Sequence, residues 1–110
     1  MQRPASIRRH ADFARLRRTG RRIATKTLNI YLGDARDGDT SSLVGITVSK
    51  SIGKAVVRNK LRRRLSAILS ELLPSQQQMR VLVVARPDAA ALTFTDLRTE
   101  VRAAFGASLT

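Results

Sequence analysis

Lysine and arginine side chains are concentrated in one short stretch of this chain, residues 54 to 64. Six of these eleven residues are Lys or Arg, and no Asp or Glu occurs between Thr40 and Ser70. Ammonium and guanidinium groups bind phosphate oxygens through charge and hydrogen bonds, and the amide of Asn59 adds a further hydrogen-bonding group. The chemistry that these residue types support at this spacing is the binding of a row of phosphates.

The same stretch has the periodicity of a helix, which separates its cations from its apolar residues. At about 100° per residue, one stripe is apolar and can pack on a core; it consists of Val57, Leu61, Leu65, Ile68 and Leu72. The opposite side consists of Asn59, Arg62, Arg63, Ser66 and Ser70, with Arg58 and Lys60 on its flanks. Charges of one sign at positions i and i+4 repel each other, so a helix that only needed solubility would mix the signs. We therefore interpret this face as a polyanion-binding surface; a face that is merely solvated is the alternative.

The rest of the chain offers little for catalysis. His10 is the one histidine, the carboxylates are scattered without a close pair, and there is no cysteine. Gly53-Lys54 lacks the upstream glycine and the following Ser or Thr of a phosphate-binding loop. The residues therefore predict no catalytic site, no metal site and no bound cofactor in the protein itself.

Length and charge restrict the class of protein. The 110 residues correspond to one domain, 1–110, and the formal net charge is +13, from 21 Lys and Arg against 8 Asp and Glu. Such an excess indicates a polyanionic partner, and nucleic acid fits best. An anionic membrane surface is the alternative on charge alone, although the basic helix lacks the Trp and Phe that anchor interfacial helices. Without an apolar run of about 20 residues, a signal-peptide core or a cysteine, the chain is expected to be cytoplasmic.

Local patterns place the basic helix in an α+β fold. Alternation predicts two half-buried strands, the second of which has a small polar face of Gly45, Thr47 and Ser49. A short apolar, β-branched run further on is typical of a strand covered on both faces. In chain order we expect a first helix between Pro4 and Gly20, a strand at Thr27–Leu32, a hairpin loop at 33–39, a strand at Leu43–Ser49, the basic helix at about Ala55–Leu73, a strand at Arg80–Arg86, and a last helix at about Thr95–Phe105 that buries Leu97, Val101, Ala104 and Phe105.

Two aromatic residues have two possible roles. Phe13 lies in a first helix rich in arginine, and Tyr31 lies on the strand face opposite Leu28, Ile30 and Leu32. An aromatic ring flanked by cations can stack on an unpaired base. With only three Phe and one Tyr in the chain, the core also needs these rings. The sequence leaves stacking and packing open for both.

A longer pattern around the basic helix resembles the signature of the bacterial ribonuclease P protein component. Residues 48 to 63 read Val-Ser-Lys-Ser-Ile-Gly-Lys-Ala-Val-Val-Arg-Asn-Lys-Leu-Arg-Arg. Further matches, in the same order over nearly the whole chain, are Asp12-Phe13, Gly20, Tyr31, Val44-Gly45-Ile46 and Ala85-Arg86. The signature is long and specific, so a chance match is not a satisfactory explanation.

The resemblance implies a fold and a partner. The expected fold has about four strands and three helices in the order α-β-β-β-α-β-α, with a left-handed crossover around the basic helix against the usual preference. The expected protein is the non-catalytic subunit, in a 1:1 complex, of a ribonucleoprotein endonuclease. Its RNA subunit hydrolyses precursor tRNA with Mg²⁺ to remove the 5′ leader.

The resemblance also implies residue roles. In the family, the basic helix and the loop before it face the catalytic RNA, which corresponds here to Lys50, Lys54, Arg58, Asn59, Arg62 and Arg63. A cleft between the first helix and the sheet holds the single-stranded leader, which corresponds here to Phe13 and Tyr31 with Thr47 and Ser49 on its floor. Many family members have a second aromatic residue one turn after Phe13, where this chain has Arg17. We expect Arg17 to stack on a base or to bind a phosphate instead.

Composition alone is also compatible with other nucleic-acid binders. A small ribosomal protein is the main alternative, because it would be equally basic and would also bind RNA. A DNA-binding module is disfavoured, since no helix-turn-helix or zinc pattern is present.

Overall fold

Five strands and three α-helices make up the part of the chain that the computed structural model describes, residues 5–108 without the side chains of Ser75, Ala107 and Ser108. In chain order they are β1 (Ala5–Ser6), α1 (His10–Thr19), β2 (Arg21–Ala24), β3 (Leu28–Asp34), β4 (Leu43–Thr47), α2 (Ala55–Leu72), β5 (Met79–Ala85) and α3 (Phe94–Ser108). Short 3-10 helices lie at Lys50–Ile52, Leu73–Ser75 and Pro87–Ala91. The α+β class is confirmed, with one strand more than expected, because Ala5 and Ser6 pair with β4 at the sheet edge.

The strands form one mixed sheet in the order β1-β4-β5-β3-β2. Strand β5 lies between β3 and β4, antiparallel to the first and parallel to the second. The loop after β3 is therefore not a hairpin loop, and that prediction was wrong. The reason is the apolar character of β5, in which Val81, Leu82 and Val83 are fully buried, so this strand takes the centre of the sheet. The hand of the β4–α2–β5 crossover stays a prediction.

The two faces of the sheet carry different layers. One face, here called the core face, presents Leu28, Ile30 and Val83 to α2 and α3, where most of the buried residues lie. The other, here called the α1 face, presents Leu82 and Tyr31 to the smaller cluster around Leu16 of α1. The last helix buries its four predicted residues, Leu97, Val101, Ala104 and Phe105.

Helix α2 packs on the core face from its second turn onwards. Leu61, Leu65 and Ile68 are buried as predicted, and Leu69 joins them. Val57 is 38% exposed, which contradicts its assignment to the packed stripe. It belongs to the first turn of α2, which precedes the part of the helix that reaches the core.

The first helix begins later than expected and ends as expected. Residues 5 and 6 form β1 and Ile7 is buried, so α1 starts only at His10. Gly20 ends the helix with a φ of −73°, so the glycine is not needed for a left-handed backbone conformation. Glycine is required there because a Cβ atom would stand 2.5 Å from the carbonyl oxygen of Leu16.

Candidate nucleic-acid interface

The exposed side of α2 brings together the predicted amide residue, Asn59, and two of the predicted arginines, Arg62 and Arg63. Asn59, Arg62 and Arg63 are exposed, and Arg62 Nη1 donates a hydrogen bond of 2.9 Å to Asn59 Oδ1. Because this bond uses only Oδ1 of Asn59, the side-chain NH₂ group of Asn59 can still donate hydrogen bonds to another molecule. Arg64 is turned elsewhere, since its Nη1 donates to the carbonyl oxygen of Leu92 at 3.1 Å. Arg64 therefore contributes to the fold, whereas Arg62 and Arg63 face outward.

The turn before α2 is held by Arg58. Its Nε donates a hydrogen bond of 3.1 Å to the carbonyl oxygen of Gly53, which has a φ of 150° that few residues with a side chain adopt. Lys50 and Lys54 are exposed on either side of this glycine. The turn is therefore fixed by one member of the cationic set while two others remain accessible.

Electrostatics at the start of α2 favour an anion. Lys54 is the N-cap, it makes no side-chain cap hydrogen bond, and the first turn contains no acidic residue. The first N–H groups of a helix have no partner within it, and the helix dipole places partial positive charge at this end. The cations at this end of α2 add to that charge instead of cancelling it.

A second set of predicted residues meets on the α1 face. The ring of Phe13 lies over Gly45 of β4, and Leu16 lies over Gly33 of β3, so α1 crosses the sheet in close contact. Tyr31 and Leu82 pair in the same cross-strand row as Gly45. Phe13 and Tyr31 are half-buried beside Leu82, so each ring packs partly in this cluster and is partly accessible.

The next row of the α1 face forms the floor beside these rings. Thr47 of β4 pairs with Val84 of β5, which pairs with Asn29 of β3. Ser49 lies beyond the end of β4, exposed, with its Oγ 2.7 Å from Oγ of Ser51. Ser49 is therefore part of the turn that leads to α2 and not of the strand that was expected to carry it. Arg17 is exposed on α1, one turn after Phe13.

Several residues near Phe13 and Tyr31 were missed by sequence reasoning. Arg22 pairs with Tyr31, and Asn29 accepts a hydrogen bond of 3.4 Å at Oδ1 from Arg86 Nη1. His10 places its ring centroid 6.4 Å from that of Phe13, with the planes tilted by 47°. The spacing of three residues between His10 and Phe13 was a signal that could have been used. The cross-strand partners required the register, which the sequence does not contain.

An ion-pair cluster connects α1 with the sheet. Arg80 of β5 donates two hydrogen bonds of 2.9 Å to the carboxylate of Asp39, and Arg80 and Arg36 each lie 3.4 Å from Asp12 Oδ1. The hydrogen bonds from Arg80, together with the one from the backbone N–H of Arg36, lower the pKa of Asp39 from its ordinary value of 3.8 to about 2. This cluster joins α1, the β3–β4 loop and β5, and it uses two of the few acidic residues internally.

The described residues contain neither a cluster of metal ligands nor a membrane-spanning helix. Between residues 5 and 108, no group of three His, Asp or Glu side chains lies close enough together to hold a metal ion. Over the same part of the chain, no helix is long and apolar enough to cross a membrane.

The fold and the two surfaces define a small basic α+β protein whose longest helix has a cationic outer face. The family model for ribonuclease P matches residues 1–108, and the chain belongs to this family. The ribonuclease P protein component of Thermobifida fusca is 38% identical over 108 residues, which cover 92% of this chain and 74% of the relative. That of Acidothermus cellulolyticus is 36% identical over 97 residues, which cover 86% and 79%.

Solved structures agree with this assignment. The RNase P protein of Staphylococcus aureus superposes with a TM-score of 0.85 at 25% identity, over 94% of both chains. The RNase P protein of Thermotoga maritima superposes with a TM-score of 0.74 over 87% of this chain and 90% of that chain; at 22% identity it supports the fold alone.

Proposed function

We propose that this chain, as a single RNA-binding domain, binds the catalytic RNA of ribonuclease P and the 5′ leader of precursor tRNA, and thereby assists endonucleolytic removal of the leader. The observation that carries the proposal is the one-signed outer face of α2, where Asn59, Arg62 and Arg63 are exposed together. The family membership names the RNA that such a face would meet.

The α2 face is the proposed contact with the catalytic RNA. Together with the turn before α2, it comprises Lys50, Lys54, Arg58, Asn59, Arg62 and Arg63. Each exposed cation that meets a phosphate releases a counterion, so affinity should fall steeply as salt rises. The hydrogen bond between Arg62 and Asn59 supports this role because it fixes the direction of a guanidinium group before RNA arrives.

The cleft on the α1 face is the proposed leader site. Phe13 and Tyr31 offer ring faces at its wall, and Thr47 and Ser49 offer hydroxyl groups along its floor and exit. Unpaired bases stack on aromatic rings with little dependence on sequence, which suits a leader that differs from one precursor to the next. Arg17 extends the wall with a planar cation that can stack or bind a phosphate.

The chemistry is assigned to the RNA subunit with its Mg²⁺, and the protein acts by electrostatics. RNA subunit and leader are both polyanions, so their approach concentrates phosphate charge. A protein of net charge +13 placed between them lowers that repulsion and so raises the affinity for substrate and for metal ions. We propose a 1:1 complex with the RNA in the cytoplasm.

Reconstitution tests the proposal. The chain is combined with a bacterial ribonuclease P RNA, and cleavage of precursor tRNA is followed at a Mg²⁺ concentration where the RNA alone is nearly inactive. We expect cleavage at the mature 5′ end only when both components are present, and none from nuclease-treated protein alone. Cleavage by the RNA-free protein, or no effect of the protein at low Mg²⁺, would contradict the proposal. Co-purification with ribosomes and not with a single large RNA would favour the ribosomal alternative.

A further inference from the structure

Two neighbouring valines at the start of α2 have no place in the hydrophobic core. Val56 is 79% exposed and Val57 is 38% exposed, and they are the large apolar side chains that stay exposed in the described part of the chain. A single exposed apolar residue needs no explanation. Here the exposed ones are adjacent, and Lys54 and Arg58 flank them in the sequence.

The turn before α2 explains the position of Val57 but not that of Val56. A Cβ atom at Gly53 would stand 3.5 Å from Cβ of Val57, so this valine rests against the turn. Ile52 is buried in the main core nearby in the chain. Val56, at 79% exposure, projects into solvent and is not part of the hydrophobic core. A β-branched residue in an exposed helical turn also has a lower helix propensity than alanine.

We propose that Val56, with the exposed edge of Val57, forms an apolar contact with the catalytic RNA at the centre of the cationic surface. The contact would be with the face of an unpaired base or a ribose. This inference rests on the proposed function and adds to it a contact that does not depend on charge.

Charge complementarity identifies the occupant as RNA. Lys54 and Arg58 flank the two valines in the sequence, Lys60 lies one helical turn after Val56, and no acidic residue lies between Thr40 and Ser70. A partner that covers Val56 comes close to these cations, so a negatively charged partner is favoured there. In specific interfaces a small apolar centre within a polar rim excludes water, which strengthens the surrounding charged contacts. Base faces and riboses are the apolar surfaces of a polyanion.

The salt dependence of binding distinguishes an apolar contact from an ionic one. Affinity for a bacterial ribonuclease P RNA is measured over a range of salt concentrations for the wild type, Val56→Ser and Lys54→Ala. We expect Val56→Ser to bind about three- to tenfold more weakly at every salt concentration, with an unchanged slope of log affinity against log salt. Lys54→Ala should flatten the slope by about one unit, because it removes one phosphate contact.

Matched variants control for folding and for shape. Ala103→Ser introduces the same hydroxyl side chain at an exposed position of α3 and should leave RNA affinity unchanged. Val56→Ile keeps the apolar contact and should bind as the wild type does. Thermal melting of Val56→Ser should match the wild type, and a large drop would place Val56 in the fold and overturn the inference.

Two failures are distinguishable. If the wild-type protein does not bind the RNA in a salt-dependent way, the proposed function fails. If the wild type binds and Val56→Ser binds equally well, or if the loss disappears at high salt, only the apolar contact fails. Equal RNA affinity would leave a protein partner as the remaining occupant of these valines.

Discussion

The ring of Phe13 lies directly on Gly45. A Cβ atom at position 45 would stand 2.4 Å from Cε1 of the ring and 2.9 Å from Cζ, closer than unbonded carbon atoms approach. The absence of a side chain on β4 therefore sets how closely α1 approaches the sheet. The same ring is part of the proposed leader site, so the position of that ring depends on a glycine of β4.

Gly45→Ala should displace the Phe13 ring and destabilise the protein. Forcing one extra carbon into a packed contact typically costs about 1–3 kcal/mol. Thermal or urea unfolding measures this cost. The cost should largely disappear when Phe13→Ala is also present, because the two residues contact each other and their effects are coupled.

Gly106→Ala is the matched control for that substitution. Gly106 is exposed in α3, and no side chain or distant atom lies within 4 Å of a Cβ atom at this position. Alanine is a better helix former than glycine by up to about 1 kcal/mol, so this variant should be as stable as the wild type or more so. Equal destabilisation by both glycine substitutions would argue against the Phe13 contact.

Phe13→Leu should separate the packing role of the ring from stacking. Leucine keeps most of the apolar contact with Leu82 but has no aromatic face, so we expect a small loss of stability. Base–aromatic stacking is worth roughly 1–3 kcal/mol, so affinity for precursor tRNA should fall about fivefold or more. Affinity for mature tRNA, which has no leader, should change little.

Phe13→Ala completes this comparison by removing both roles. Truncating a fully buried Phe costs about 3–5 kcal/mol, and less is expected for this half-buried ring. If Phe13→Leu and Phe13→Ala both weaken the binding of precursor and mature tRNA equally, Phe13 only packs and does not contact the leader.

Replacing Arg62 and Arg63 together with Ala should weaken RNA binding without unfolding the protein. Both side chains are exposed, and Arg62 has its described hydrogen bond only to Asn59 on the same face. We expect the slope of log affinity against log salt to fall by about two units, one for each lost phosphate contact.

The control for this double variant removes the same charge from another face. Arg98 and Arg102 of α3 pair with Glu71, at 3.1 Å and 3.8 Å. Their joint replacement with Ala lowers the net charge equally and should leave the salt slope nearly unchanged. Equal effects of the two double variants would mean that overall charge, and not the α2 face, determines affinity.

Asp39→Asn should alter the pH dependence of stability. The folded-state pKa of Asp39 is about 2, below its ordinary value of 3.8, because Arg80 donates hydrogen bonds to its carboxylate. A lowered pKa means that the ion pair stabilises the fold above about pH 4 and that this stabilisation is lost as the pH falls through 2. Urea unfolding should therefore find the wild type more stable than Asp39→Asn at pH 7, with the difference shrinking between pH 4 and pH 2.

Asp37→Asn controls for the loss of one negative charge in the same loop. Asp37 is exposed, whereas Asp39 is held between Arg80 and the backbone N–H of Arg36. At pH 7 we expect Asp37→Asn to be as stable as the wild type. A destabilisation equal to that of Asp39→Asn would show that loop charge, and not the contact with Arg80, matters.

Local periodicity determined most of the elements of this protein. The alternation of Leu28 and Ile30, the apolar run of β5 and the helical stripe from Leu61 onwards each indicate a burial pattern that the structure has. These predictions succeeded because helices and strands repeat every 3.6 and 2 residues, so neighbours in the sequence reveal the buried side. The long basic signature likewise identified the family from the sequence alone.

Only the tertiary structure decided how these elements contact one another. The insertion of β5 between β3 and β4, the fit of Phe13 on Gly45 and the pairing of Arg80 with Asp39 all join residues far apart in the chain. Val57 lies on the apolar stripe of α2 but is partly exposed, because the helix reaches the core only after its first turn. Such contacts depend on the order of the strands and the placement of the helices. Sequences with the same local pattern can differ in both, so the local pattern does not determine these contacts. The cationic face and the two aromatic residues could therefore be identified from the sequence, whereas the contact of Phe13 with Gly45 required the fold.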